Sequence, residues 1–287
     1  MADATIVTPA ARRGFPVRNA AVLMAACAAV GFSLLPLYII LTTALKSENA
    51  IFAWPPDWLF EPTLDNFYSA FFVFGGRSAA LFILNSVVIT AASTLVAVTL
   101  GAMAAYGLAR FRFAANKHLA FYILSTRFAP PVAFIVPIYL MVNGVGLIDS
   151  HIALILIYAS MNLSFVVWIL RGFFLEIPIE MEEAALVDGY TRWQIFWRVA
   201  LPLVRPGLAA TAILSAIFAW NEFLFASVLT QTGAATLPVY LAGFSASMGL
   251  AWGEFMAVGF FAILPIMIFT IVLQRHLVRG LTFGAVR

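Results

Sequence analysis

Six long apolar stretches constrain this chain more than any other feature. They lie at about 20–45, 79–109, 119–141, 152–170, 206–229 and 255–274. A backbone that crosses hydrocarbon must satisfy its own N–H and C=O groups, so an apolar run of about 20 residues reads as a membrane-spanning helix. The composition agrees. Of 287 residues 63% are hydrophobic and 10% charged, whereas soluble domains carry about 25% charged residues. The expected fold is an all-α integral membrane protein with six transmembrane helices. Pro130, Pro131 and Pro137 should bend or break the third span. The first run follows Arg12, Arg13 and Arg18, a basic start that would suit a signal peptide. It is longer than the about 7–15 residues of such a core and is closed by no small-x-small site, so it reads as a retained span.

Lys and Arg set the orientation. Thirteen fall on one side: in the 1–19 tail, the 110–118 loop, the 171–205 segment and the 275–287 tail. Two, Lys46 and Arg77, fall on the other, and Arg127 lies within a run. The chain is therefore expected to be a multi-pass protein of the cell (inner) membrane. Both tails and the 171–205 segment should be cytoplasmic, flanking or interrupting one transmembrane domain at 20–274. Of the outer loops, 46–78 carries Trp54-Pro55-Pro56-Asp57-Trp58, which suits interfacial anchoring or contact with an external partner. The 230–252 loop is rich in Gly, Ser and Thr.

One segment stands out in a chain that otherwise avoids charge: EEAALVDGYTRWQIFWRVALP, residues 182–202. Pro178 suits a first helical residue, and Glu180, Glu182 and Glu183 favour the positive end of a helix. Gly189 tolerates positive φ and ends that helix at 188. Thr191 with Gln194 matches a capping box, which starts a second helix over 192–201 that stops at Pro202. Met181, Ala184 and Ala185 share i, i+3, i+4 spacing, and the paired alanines would let another backbone approach closely. By pattern alone, two readings are open: a hairpin lying on lipid, or one docked into a partner protein.

Polar groups inside the membrane are costly and tend to face the bundle interior. The candidates for a pathway or gate are Asn85, Arg127, Asn162, Asn221 and Glu222. Asn85 and Asn162 also suit helix–helix hydrogen bonding, and Glu222 needs a partner or water. Three readings of Arg127 are open. It snorkels to the surface, it pairs with an acid or caps carbonyls freed near Pro130 and Pro131, or it meets substrate. Cys27 stands alone, and His118, His151 and His276 do not cluster, so neither a disulfide nor a metal site is expected. No Walker A motif and no convincing nucleophile–base pair occur, so the chain is not expected to be an enzyme. Nothing points to nucleic acid.

The 182–202 segment resembles the EAA loop of ABC importer permeases. That pattern is E-A-A, three residues, G, nine residues, I-x-L-P. Here it stands as Glu183-Ala184-Ala185, Gly189 and Val199-Ala200-Leu201-Pro202, with Val for Ile. Trp220-Asn221-Glu222-Phe223 and the ending Gly280-Leu281-Thr282-Phe283-Gly284-Ala285-Val286 resemble the smaller permease of maltose-type carbohydrate importers. The resemblance implies a type I importer fold in which the EAA helices couple to a cytoplasmic ATPase through Glu182, Glu183, Ala184, Ala185, Asp188, Gly189 and Pro202. It implies a second permease subunit, two ATPase copies and an extracytoplasmic solute-binding protein as partners, besides membrane lipid. ATP and Mg would sit on the ATPases, with no cofactor on this chain. A stand-alone ion-coupled carrier is the alternative.

Overall fold

The computed structural model describes residues 17–73, 78–111, 114–247 and 251–282. Arg12, Arg13, Arg77, Arg112, Arg287, most of the N-terminal tail and the last part of the C-terminal motif, 283–287, lie outside the described residues. The described residues are helical with connecting turns, and no strand occurs among them. The long helices are α1 (Val17–Ala44), α2 (Ala79–Arg110), α5 (His151–Glu176) and α11 (Trp252–Thr282). Between them lie α3 (Asn116–Ser125), α4 (Pro131–Gly144), α6 (Ile179–Val187), α7 (Arg192–Leu203), α8 (Arg205–Trp220), α9 (Leu224–Leu229) and α10 (Leu237–Ser247).

The centre of the molecule is the pair α2 and α5, crossed by α8. Gly101 lets them meet. A Cβ there would lie 2.5 Å from Val166 Cγ1 on α5, so only a residue without a side chain permits this approach. α1 and α11 pack on the outside of the bundle. α1 buries no residue within the chain between Ala20 and Thr43. Val22, Leu23, Met24 and Phe32 all stand exposed along it, an arrangement suited to lipid or a neighbouring subunit and costly in water.

The third span is broken between α3 and α4 by 93°, as its prolines predict, and two other stretches differ from expectation. A 3₁₀ turn, Thr126–Phe128, leads into Ala129 and Pro130, which are extended, and Pro131 opens α4. A residue before proline is pushed out of the helical region, so the Pro-Pro pair makes the break. Pro137 lies within α4 without ending it. The fifth is not one helix over 206–229. α8 stops at Trp220, Asn221 caps it, and α9 restarts at Leu224. Finally, the 230–252 loop holds the apolar helix α10, fixed by Phe82 stacked on Tyr240 at 4.3 Å and by Tyr240 Oη donating to Ala70 O. Its small residues read as loop signals, yet Leu237 and Phe244 are buried.

Element ends also shift. α5 runs to Glu176, past the expected end at 170, and α11 reaches Thr282 rather than 274. Replacing Gly101 with Ala is expected to destabilise the protein by about 1–3 kcal/mol through overpacking. Thermal unfolding in detergent measures it, and adding Val166→Ala should restore part of the loss.

Candidate functional site

α5 ends before Pro178, which serves as the N-cap of α6 rather than as its first residue. α6 closes with a paired-carbonyl cap. Gly189, at φ +85°, donates to Leu186 O, and Tyr190 N donates to Ala185 O. This is the Schellman arrangement, which needs a left-handed residue at that point. Thr191 then accepts from Gln194 N while Gln194 Oε1 accepts from Thr191 N, the reciprocal cap of α7. α7 does not stop at Pro202. It carries a π-turn over Phe196–Ala200, in which Leu201 N bonds to Phe196 O, and it runs through Pro202 to Leu203. The chain then bends by 79° at Val204 into α8.

α6 is anchored by Glu182, whose side chain is fully buried. Arg110 Nε donates to Glu182 Oε1 at 2.6 Å and Tyr106 Oη donates to Oε2 at 2.8 Å. Arg110 Nη2 also donates to Ile177 O at 2.9 Å, satisfying the carbonyl where α5 gives out. The Tyr106 ring packs on Phe174 and Phe196 in the adjoining apolar core. Glu182 therefore faces the bundle, unlike the exposed Glu183 beside it. The two alanines also part. About 100° of helix rotation separates adjacent residues, so Ala185 is buried beside Glu182 while Ala184 stands exposed. Glu183, Asp188 and Val187 are exposed with Ala184, and Val187 is 88% open. Pro202 is half-buried within α7.

The pathway candidates fall into two places. Asn85 is buried near the start of α2. Its amide donates to Gly233 O and Ala235 O at 3.0 and 2.9 Å, and its Oδ1 meets His151 Nε2 at 2.8 Å. Ser86 Oγ accepts from Leu237 N. Both side chains hold the 231–237 strip. Asp149 completes that fixture by accepting from the backbone N–H of Gln231, Thr232, Gly233 and Ala234. Burial alone would push its carboxyl upward. The four backbone bonds outweigh burial and hold it at about 2, below its ordinary 3.8. Asp149 itself sits at φ +59°.

Of the remaining candidates, Arg127, Asn162 and Glu222 meet at one cavity and Asn221 stands apart. Arg127 lies in the turn between α3 and α4, with Nη1 donating to Met161 O at 3.2 Å and its guanidinium 4.9 Å above the Phe218 ring. A cavity of about 110 Å³ brings Arg127 together with Asn162, Tyr158, Phe218 and Glu222. Asn162 is buried and donates to Ser215 O at 3.3 Å. Glu222 is not inside a helix. Its carboxylate accepts from Phe225 N and Ala226 N and so opens α9. Asn221 is exposed, bonds to Ile217 O in its own helix and is absent from this cavity. No group of three His, Cys, Asp or Glu side chains able to hold a metal occurs among the described residues.

Reading the sequence missed Tyr106 and Asp149 and used Arg110 only for orientation. Tyr106 and Arg110 stand four residues apart on one helix face, a signal available beforehand. Asp149 carried none, because its partners are backbone groups about 80 residues away.

A bundle of broken spans with an anchored amphipathic hairpin is the architecture of an importer permease. The family model for binding-protein-dependent transport system inner membrane components matches residues 97–283, and the chain belongs to that family. It is 37% identical over 261 residues to the trehalose transport system permease protein SugB of Mycobacterium tuberculosis, covering 90% of this chain and 94% of that one. It is 34% identical over 254 residues to the diacetylchitobiose uptake system permease protein DasC of Streptomyces coelicolor, covering 88% and 91%. Its fold matches a chain in the crystal structure of a bacterial ABC transporter involved in the import of the acidic polysaccharide alginate. The TM-score is 0.74 at 23% identity, covering 93% of this chain and 99% of that one.

Two outcomes follow. Glu182→Ala leaves a buried guanidinium unpaired and should cost about 3–5 kcal/mol, read as a lower melting temperature. In a double-mutant cycle with Arg110→Ala the two losses should not add. The Asp149 carboxyl is lowered in the folded state, so its contribution is present above about pH 3.8 and lost as pH falls through about 2. The stability gap between the native protein and Asp149→Asn should therefore close over that window in a pH series of melting curves.

Proposed function

We propose that this chain is one of two permease subunits of an ATP-driven importer of carbohydrate. Membership of a binding-protein-dependent transport family supports the import role, and the sugars named for SugB and DasC support the substrate class. The observation that carries the coupling role is α6 itself: a helix held to α2 from within by Glu182, with Glu183, Ala184 and Val187 turned outward.

In this reading the outer face of α6 docks on a cytoplasmic ATPase. Ala184 allows close approach, Glu183 offers a charge near the helix start, and Asp188 with Gly189 sets the corner into α7. ATP and Mg belong to the ATPases. When two of these close, α6 is displaced, and the buried Glu182–Arg110 pair passes the displacement to the spans. Substrate arrives from an extracytoplasmic binding protein and crosses between this chain and a second permease. Both tails lie in the cytoplasm, consistent with the Lys and Arg bias. Arg127, Asn162 and Glu222 face the route, while Asn85 fixes its outer rim and Asn221 stands exposed beside the break.

The deciding experiment is purification of the tagged chain from its native membrane in mild detergent. A Walker-containing ATPase and a second permease should co-purify. A chain that purifies alone and transports after reconstitution without ATP would instead be an ion-coupled carrier. Gly189→Asp forces a side chain into the left-handed region at a cost of about 1–2 kcal/mol and adds a charge at the docking corner. It should leave ATP hydrolysis running while substrate uptake falls; normal uptake would overturn the coupling role of the corner.

A further inference from the structure

We propose that the larger cavity beside Arg127 is a subsite for the acidic group of an anionic carbohydrate. The proposal rests on the importer reading above. This cavity, of about 190 Å³, is lined by Arg127, Thr126, Ser160 and Ser164, with Phe134 and Phe225 among its apolar walls.

Arg127 is a cation without a counterion. It is half-buried and pairs with no carboxylate among the described residues. One hydrogen bond, to Met161 O, is all that its five N–H donors make there. The Phe218 ring and one carbonyl leave its charge unneutralised, and a ligand that brings the opposite charge lowers the cost of holding it away from water.

Ser164 points to the same ligand independently. It is 4% exposed, lines this cavity and has no hydrogen-bond partner among the described residues. Its O–H is therefore free to donate to an anion beside Arg127. Thr126 and Ser160 donate to Ile123 O and Ile157 O of their own helices. Their oxygens remain acceptors, suited to sugar hydroxyls rather than to a second charge.

The position of Glu222 sets the side from which the anion enters. Glu222 lines the smaller cavity with Arg127 and is absent from the larger one. A carboxylate or sulfonate entering the smaller cavity meets like charge. Entering the larger, it meets a cation and a free hydroxyl, with aromatic rings for the sugar's apolar face. The shared chemistry is a compact oxyanion, which an acidic sugar or a lipid headgroup could both supply, and the test separates them.

The test uses the complete importer complex reconstituted in vesicles of phosphatidylcholine alone, with labelled glucuronate and labelled glucose as probes. Saturable glucuronate binding is expected to exceed glucose binding. Loss of a charge-assisted contact is worth about tenfold or more in affinity, so Arg127→Gln should lose about that much for glucuronate and little for glucose. Arg127→Lys should retain an intermediate share, and Ser164→Ala should weaken glucuronate several-fold. If Arg127→Gln fails to assemble, the Lys and Ser164 variants carry the measurement.

Equal binding of the two probes, or glucuronate binding indifferent to these variants, would overturn the proposal. So would retention of anionic phospholipid through purification that Arg127→Gln abolishes, with no glucuronate binding in its absence. ATP-driven uptake of a neutral sugar in the same vesicles would then show the importer reading standing while the acidic subsite falls. Absence of any ATP-dependent uptake would count against the importer reading instead.

Discussion

Backbone hydrogen bonding in the absence of water governs this structure. A break in a membrane helix frees carbonyls and N–H groups that lipid cannot satisfy, and three helix ends here are met by polar side chains. The Asn221 amide donates to Ile217 O where α8 ends. Glu222 receives Phe225 N and Ala226 N where α8 gives way to α9. Arg110 serves Ile177 O where α5 ends. The polar residues within the membrane-spanning part are thus first of all the means by which irregular backbone is tolerated. One of these residues, Glu222, also lines a cavity. The role proposed for it grows out of a structural necessity.

Much of this was legible beforehand, and the reason differs by element. α2 and α5 are long and uniformly apolar, so length and composition suffice to find them. The α6–Gly189–α7 corner was legible because its signals are local: a proline, a glycine with positive φ and a Thr-x-x-Gln cap act within a few residues of one another. The split between Ala184 and Ala185 was not legible, since which face turns inward depends on Glu182 finding Arg110 on another helix. The restart at Leu224 was hidden because Asn221 and Glu222 sit in an otherwise apolar run, and only their bonds to the backbone reveal a boundary. α10 was hidden by its small residues, and the burial of its large ones, Leu237 and Phe244, outweighs their preference for loops.

The candidate site divides along the same line. Its outward residues, Glu183, Ala184 and Gly189, belong to a sequence pattern and could be named from it. Its inward residues, Tyr106 and Arg110, belong to a different helix, and their i, i+4 spacing says that they share a face but not that this face meets Glu182. Asp149 is the extreme case. A side chain whose partners are four successive backbone N–H groups leaves no trace in any pairing of residue types.

The two fixtures on α2 bear on how force travels. Arg110 and Tyr106 grip α6 at one end, and Asn85 and Ser86 grip the 231–237 strip at the other. Twenty-five residues separate Asn85 from Arg110, a span of about 37 Å at 1.5 Å per residue. The helix between them contains no proline, and Gly101 is wedged against α5. It behaves as a stiff strut with a clamp at each end. On the proposed importer role, a strut of this kind would relay a push rather than absorb it, and a tilt at the α6 clamp would reappear as a swing of the opposite rim, with the Gly101 crossing as its fulcrum.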